Sequence, residues 1–138
     1  MKLWMFDTDH ISLHQRGNLT LIQRMAMLDP SQLAVSIVTV EEQMRGWLDR
    51  IRKAKKLEES VMAYDRLKIT TQYFSEIQIL NFDLTAHNQY LELRKQKIRV
   101  GAQDLKIASI ALTQDLTLVT RNRRDFEQVP GLLIEDWT

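Results

Sequence analysis

Residues 3–9, Leu-Trp-Met-Phe-Asp-Thr-Asp, decide how the chain begins its fold. Bulky apolar side chains run without a polar interruption and then meet two carboxylates that are one residue apart. An unbroken apolar run of this kind is typical of a strand covered on both faces of a parallel sheet. The stretch therefore predicts a buried strand, Leu3–Phe6, whose carboxyl end carries Asp7-Thr8-Asp9.

Further apolar runs of the same kind recur along the chain. They are rich in Val, Ile and Leu and predict strands at Leu33–Val38, Ile77–Leu80 and Leu116–Val119, with Leu132–Ile134 as a candidate edge strand. Helical spacing of apolar residues lies between them, at Asn18–Leu28, from Thr39 to about Lys68 as one long helix or a helical hairpin, at Leu84–Gln96 and at Ala102–Thr113. Strands that alternate with helices of this length indicate a layered α/β fold with a parallel sheet.

Length and composition predict one folded domain over residues 1–138, because 44% apolar and 27% charged residues are ordinary for a globular protein. The chain has no cysteine, so disulfides and thiolate metal sites are unavailable, which fits a reducing cytoplasm. The first apolar run is much shorter than the roughly 20 residues that a membrane helix needs. We therefore expect a cytoplasmic protein without a membrane partner.

Positive charge is clustered although the net charge is only +1. From Arg45 to Lys68 there are eight Lys and Arg residues against four acids, and two smaller basic clusters lie at Arg94–Arg99 and Arg121–Arg124. Such clusters are either solvated helix faces or a rim that binds phosphates. The two smaller clusters carry more weight for phosphate binding, because each lies close to a candidate active-site acid.

Acidic residues follow the predicted strands. Asp7 comes directly after the first strand, Glu41-Glu42 soon after the second, and Asp125 a few residues after Leu116–Val119, while Asp104 opens an apolar helix. Ligands of an open parallel sheet bind outside the carboxyl ends of its strands. If these strands are neighbours, the sequence predicts a carboxylate cluster at one edge of the sheet.

A cluster of carboxylates needs compensation, because like charges a few ångströms apart resist joint ionisation. Mg²⁺ or Mn²⁺ provides it well, since both take oxygen ligands and often combine carboxylates with substrate phosphate. A second interpretation stays open, in which the acids only cap helices: Thr8 or Asp9 on the first helix, Thr39 with Glu42 as a capping box, and Asp104 in a first turn.

Four stretches together resemble the PIN-domain ribonucleases, and specifically the VapC-type toxins of bacterial toxin–antitoxin modules. They are FDTDHIS (6–12), SIVTVEEQMRGW (36–47), GAQDLKIASIAL (101–112) and LTLVTRNRRDFEQVPGLLIEDW (116–137), and they occur in the family's order over nearly the whole chain. The resemblance implies a three-layer α/β/α fold with a mainly parallel sheet of four to five strands. It also implies an acidic Mg²⁺ or Mn²⁺ site that cuts RNA.

The resemblance assigns site residues by position. Asp7, Glu42 rather than Glu41, and Asp104 match the family's metal-binding and catalytic acids. The fourth catalytic place stays open between Asn122, where many relatives have Asp, and Asp125 three residues later.

Supporting roles follow from the same resemblance. Thr8 and Thr120 are candidates to donate hydrogen bonds to a phosphate or a ligand carboxylate. Asp9 replaces the family's commoner Asn and adds a negative charge. Arg99 and Arg121 are candidates to bind the phosphates of the RNA.

The expected partners are a structured RNA such as tRNA, a small cognate antitoxin that covers the acidic cleft, and a second copy of the chain, packed around Gly46-Trp47. A stand-alone RNA-processing nuclease and a catalytically silent interaction domain are the alternatives. Two other site types are weaker: a zinc site at His10 and His14, four residues apart on a predicted helix, and a phosphoacceptor site, which would need a Lys where Thr120-Arg121 stands.

Overall fold

The computed structural model describes residues 2–138, and its centre is a five-stranded sheet in which every neighbouring pair is parallel. The strand order is β3-β2-β1-β4-β5, and the strands are β1 (Trp4–Phe6), β2 (Leu33–Ser36), β3 (Gln78–Leu80), β4 (Thr117–Val119) and β5 (Ile134–Glu135). The strand formed by the opening stretch is thus the middle of the sheet.

Helices connect the strands, as parallel pairing requires. They are α1 (Thr8–Gln15), α2 (Leu19–Ala26), α3 (Ile37–Lys53), α4 (Leu57–Ser75), α5 (Leu84–Lys95), α6 (Ala102–Thr113) and α7 (Arg123–Phe126), with a 3₁₀ turn at Pro30–Gln32 before β2. None of the helices in residues 2–138 is both long enough and apolar enough to cross a bilayer.

Two hydrophobic clusters cover the two faces of the sheet. Adjacent residues of β1 divide between them, because successive side chains of a strand point to opposite faces: Met5 belongs to the cluster with Leu93 and Ile110, and Phe6 to the cluster with Leu21 and Trp137. Helices therefore pack on both sides, which confirms the predicted three-layer α/β/α fold with a parallel sheet.

Register brings distant residues to one edge of this sheet. Phe6 pairs with Val35 of β2 and with Val119 of β4, so the residues that follow these strands lie side by side. The backbone N–H of Asp7 donates to the Val119 carbonyl over 2.9 Å. Asp7 is thereby held at the centre of the carboxyl edge.

The second strand is shorter than predicted, since it ends at Ser36 and α3 begins at Ile37 rather than near Thr39. Ser36 is the reason, because its hydroxyl accepts the N–H of Thr39 over 3.0 Å and caps the helix. The predicted capping box of Thr39 and Glu42 is therefore wrong.

The long helical stretch is a hairpin of two helices, the second of the two predicted alternatives. It breaks at residues 54–56 and continues to Ser75, beyond the predicted end near Lys68. The edge strand, predicted at Leu132–Ile134, begins two residues later and ends one residue later, at Ile134–Glu135.

Candidate active site

Four acids surround the carboxyl edge of the sheet, each presented by a different element. Asp7 joins β1 to α1, Glu42 lies on α3, Asp104 lies in the first turn of α6, and Asp125 belongs to α7. Two of these positions, Asp7 and Asp125, follow from a local rule: a helix that starts just past a strand carries its cap and first-turn side chains to that strand end.

Asp7 is the most buried of the four, with 7% of its surface exposed. It caps α1, so the prediction of Thr8 or Asp9 as the cap is wrong: Asp7 Oδ1 accepts the backbone N–H of Thr8 over 2.8 Å. Its Oδ2 accepts the hydroxyl of buried Thr120, also over 2.8 Å. Both oxygens thus have neutral donors, and within residues 2–138 no Lys, Arg or His side chain forms an ion pair with Asp7.

Burial raises the pKa of Asp7 to about 6 from the ordinary 3.8. The hydrogen bond from Thr120 opposes this effect, while the nearby charges of Asp9 and Asp104 add to it. At neutral pH the folded chain therefore holds Asp7 as a destabilised carboxylate.

Glu42 is joined to the edge of the sheet through threonines. The Thr8 hydroxyl lies 3.2 Å from the Thr39 hydroxyl and 3.4 Å from Glu42 Oε1. Burial, followed by the charge of Asp104, raises the pKa of Glu42. Glu41 points away to Gln103, whose amide donates to it over 3.0 Å, so Glu42 is the residue that shares the acidic environment.

Asp104 and Asp125 meet around one asparagine. The Asn122 amide nitrogen lies 3.1 Å from Asp125 Oδ2 and 3.5 Å from Asp104 Oδ2. Burial, and then the charges of Asp125 and Asp9, raise the pKa of Asp104. Both candidates for the fourth catalytic position therefore lie at the site. Asp125 contributes a carboxylate, and Asn122 contributes a hydrogen-bond donor between two carboxylates.

Asn122 also has a backbone role that uses its oxygen. It caps α7, with its Oδ1 3.4 Å from the N–H of Asp125. Its own N–H donates to the Thr120 hydroxyl over 3.0 Å. The amide oxygen is thus engaged in the cap, which leaves Asp125 as the fourth group able to offer a free oxygen ligand.

A divalent cation fits this donor set, although within residues 2–138 no three acidic or imidazole side chains are arranged to hold a metal ion as they stand. Asp7, Glu42, Asp104 and Asp125 form no ion pair with Lys or Arg in that part of the chain. Burial, and after it the charge of neighbouring acids, raises the pKa of Asp7, Glu42 and Asp104. Hard oxygen donors with uncompensated charge are the ligands that Mg²⁺ and Mn²⁺ prefer.

Asp9 lies beside the cluster and is held from two sides. Its Oδ1 is 3.0 Å from His10 Nδ1, and its Oδ2 accepts the backbone N–H of Arg121 over 3.2 Å. His14, four residues after His10, instead contacts the Tyr73 hydroxyl at 2.7 Å. The two imidazoles have separate partners, so the arrangement does not favour the zinc interpretation.

The two candidate phosphate-binding arginines are exposed, and the structure brings neither side chain into contact with the acids. Arg121 enters the site only through its backbone, while Arg99 lies in the turn before α6. Both are open to an approaching ligand.

Sequence reasoning missed the contribution of Ser36 and Thr39. Both are fully buried, and their hydroxyls lie 3.4 Å apart in a polar chain that continues through Thr8 to Glu42. A serine at a strand end, three residues before a threonine, is a helix-cap signal that would have revealed this arrangement.

Comparisons with known proteins agree with this fold. The family described as PIN domain matches residues 5–132. The tRNA(fMet)-specific endonuclease VapC of Salmonella typhimurium is 28% identical over 99% of both chains, and ribonuclease VapC2 of Rickettsia felis is 32% identical over 76% of this chain and 74% of its own. Among solved structures, DNA-bound VapBC from Salmonella typhimurium superposes with a TM-score of 0.79 at 27% identity, covering 100% of both chains.

Proposed function

The chain belongs to the PIN-domain family and, within it, to the VapC ribonucleases, and we propose that it cuts RNA at the cluster of Asp7, Glu42, Asp104 and Asp125 with the help of Mg²⁺ or Mn²⁺. It is an endoribonuclease of the toxin type. The observation that carries the assignment of the site is the buried carboxylate of Asp7, which has two neutral donors and, among the residues that the structure describes, no ion pair.

Asp7, Glu42 and Asp104 would hold the cation, with Asp125 on the far side of Asp104. When bound, the cation lowers the pKa of a coordinated water and stabilises negative charge on the phosphoryl oxygens. The carboxylates of Asp7, Glu42 and Asp104 would repel one another less with a cation bound between them.

The chain's own polar residues orient the ligands. Thr120 and the Thr8 N–H fix both oxygens of Asp7, and the Thr8 hydroxyl reaches Glu42. The Asn122 amide separates Asp104 from Asp125 and donates to both. These donors keep the carboxylates in the ionised, outward-facing state that a cation and a water nucleophile require.

RNA is the proposed substrate, and a structured RNA such as tRNA is the class to test first. The Salmonella relative is named for cleavage of tRNA(fMet), and the same RNA is a rational probe at 28% identity. Arg121, whose backbone N–H donates to Asp9, and Arg99, five residues before Asp104 in the chain, are both exposed and would bind the phosphates that flank the scissile bond.

The proposed partners follow from the related complexes. A solved relative is a VapBC assembly bound to DNA, so we propose a small antitoxin that covers the carboxylate edge. We further propose that residues 1–138 form one domain, that it pairs with a second copy near Gly46-Trp47, and that it acts in the cytoplasm.

The test is cleavage of a panel of purified tRNAs and other structured RNAs, with Mg²⁺ or Mn²⁺ and with EDTA. Asp7→Asn, purified in parallel, removes one charge from the site. Asp115→Asn makes the same chemical change at an exposed turn whose φ of 52° asparagine accepts readily.

We expect cleavage by the wild type and by Asp115→Asn, and none with EDTA or Asp7→Asn. An Asp7→Asn protein that cuts at the wild-type rate would sink the assignment of the site. If the wild type neither cuts RNA nor binds a divalent cation, the chain is a binding module that keeps the family's fold. The absence of a short open reading frame directly upstream of the gene would favour a stand-alone nuclease over a toxin with a cognate antitoxin.

A further inference from the structure

The imidazole of His10 is buried beneath the site, with none of its side chain exposed. It lies in a line of three hydrogen bonds that joins the C-terminal segment to the catalytic edge: Trp137 N–H to His10 Nε2 over 3.2 Å, His10 Nδ1 to Asp9 Oδ1 over 3.0 Å, and Arg121 N–H to Asp9 Oδ2 over 3.2 Å.

The direction of these bonds determines the tautomer. Nε2 accepts a backbone N–H, so it carries no proton, and the neutral ring must hold its proton on Nδ1 and donate it to Asp9. Asp136 Oδ1 is also 3.5 Å from Nε2, but Thr138 already satisfies that oxygen through its N–H at 2.9 Å and its hydroxyl at 2.7 Å.

Asp9 links His10 to the turn at Thr120–Asn122, whose residues hydrogen-bond to the acids of the site. One carboxylate oxygen accepts a hydrogen bond from the Nδ1–H of His10, and the other accepts one from the backbone N–H of Arg121. The residues on either side of Arg121 are Thr120, which donates to Asp7, and Asn122, which donates toward Asp104 and Asp125. The position of this turn therefore sets hydrogen bonds to three of the four acids.

The other end of the line is anchored firmly. The Trp137 ring is buried, stacks edge-on against Phe6 at a centroid distance of 5.1 Å, and lies under the Arg24 guanidinium at 4.4 Å. Its indole N–H donates to Glu135 of β5 over 3.1 Å. The fixed position of Trp137 therefore holds the imidazole in the orientation that directs Nδ1 to Asp9.

We infer that His10 is a positioning residue of the nuclease site: by donating its Nδ1 proton to Asp9, it fixes the Thr120–Asn122 turn and with it the catalytic carboxylates. The inference rests on the proposed function for its effect on cleavage, whereas the hydrogen-bonded line stands on the geometry alone.

Two substitutions test the hydrogen bonds of the two ring nitrogens separately. The amide of asparagine reaches the place of Nδ1, so His10→Asn keeps a donor for Asp9 and loses the link to Trp137. The longer glutamine reaches the place of Nε2, so His10→Gln keeps an acceptor for Trp137 and loses the donor to Asp9. His14→Asn is the control, because it removes a hydrogen-bonded imidazole from the same helix without reaching Asp9.

We expect His10→Gln to lower kcat and the affinity for Mn²⁺ by roughly tenfold, the scale typical of groups that orient metal ligands. His10→Asn and His14→Asn should stay near the wild type in both measurements. Hydrogen exchange at the Arg121 amide should remain slow in His10→Asn and become fast in His10→Gln. Thermal melting of the two His10 variants, measured in parallel, shows whether a difference in stability can explain their difference in kcat and Mn²⁺ affinity.

A purely structural role would make activity follow stability in both variants, and equal kcat and Mn²⁺ affinity in His10→Asn and His10→Gln would overturn the inference. Should both variants fail to fold, nitrogen-15 NMR of the wild-type imidazole decides, since an Nδ1 that carries no proton contradicts the donation to Asp9. If the wild type cuts no RNA, the proposed function fails, while Arg121 exchange and Mn²⁺ affinity still decide the role of His10.

Discussion

The Thr120 hydroxyl donates a 2.8 Å hydrogen bond to Asp7 Oδ2 across 113 residues of chain. This bond joins the end of β4 to the end of β1. It lowers the pKa of Asp7, in opposition to burial, which raises that pKa. Thr120 accepts the Asn122 N–H as well, so one hydroxyl orders both the central acid and the turn beside it.

Replacing Thr120 by Val keeps the shape of the side chain and removes this donor. We expect the pKa of Asp7 to rise above 6 and kcat at pH 7 to fall by roughly tenfold, with the acidic limb of the pH–rate profile moved to higher pH. Thr120→Ser, which keeps the hydroxyl, should restore both. An unchanged acidic limb in Thr120→Val would contradict the role assigned to the bond.

The raised pKa of Asp7 also predicts a gain of stability on removing its charge. Because the folded-state pKa, about 6, exceeds the ordinary 3.8, the contribution of Asp7 to stability is fully present below 3.8 and is lost as the pH rises through 6. Ionisation therefore costs the metal-free fold on the order of 3 kcal/mol at neutral pH.

Asp7→Asn should accordingly melt higher than the wild type in EDTA at pH 7.5, even though it cuts no RNA. At pH 3.5 the difference should disappear, because the wild-type Asp7 is then protonated. Melting curves at both pH values check this, with Asp115→Asn as the variant whose pH dependence should match the wild type. A destabilised Asp7→Asn at pH 7.5 would show that the carboxylate is not strained.

Cation affinity should depend on pH through the same group. A cation competes with the proton for Asp7, so the apparent affinity for Mn²⁺ should be nearly constant above pH 7 and fall below pH 6, by up to about tenfold per pH unit. Raised pKa values at Glu42 and Asp104 act in the same direction. Calorimetric titration from pH 5 to pH 8 measures the effect, and an affinity independent of pH would place the cation elsewhere.

Asn122→Asp adds a carboxylate between Asp104 and Asp125. It keeps a cap for α7, because an Asp oxygen can accept the Asp125 N–H as the amide oxygen does now. We expect the pKa of Asp104 to rise further and the melting temperature in EDTA to fall by a few degrees, since one more like charge enters the cluster.

Added Mg²⁺ should raise the melting temperature of Asn122→Asp by more than it raises that of the wild type. Asn122→Ser, which keeps a capping oxygen without a charge, is the control. An Asn122→Asp protein that gains nothing extra from Mg²⁺ would exclude residue 122 from the cation's surroundings.

The fold was largely predictable from residue order, because four of the five strands are apolar runs that stop at turn or helix signals. The errors lie where two signals overlap. Ile37 and Val38 continue the apolar run of β2, yet the Ser36 hydroxyl starts α3 there. A run of β-branched residues cannot show where its backbone changes from strand to helix, whereas the cap can.

The acids of the site were predictable in the same way, since each follows a strand or opens a helix. Of the orienting groups, the resemblance pointed to Thr8 and Thr120, whereas Thr39 and His10 were not predictable. Thr39 and His10 act on residues that lie at the ends of other strands, and only the register of the sheet brings those strands together. Local sequence holds no information on such a pairing unless the strand order is already known.

The central position of β1 has a consequence for the protein's synthesis. This strand pairs with β4, and Trp4 and Thr117 are register partners. Thr120, which orients Asp7, lies 113 residues after it in the chain. A nascent chain therefore has no assembled site until the segment that carries Thr120 and Asp125 has left the ribosome, so the earlier strands cannot act on RNA by themselves.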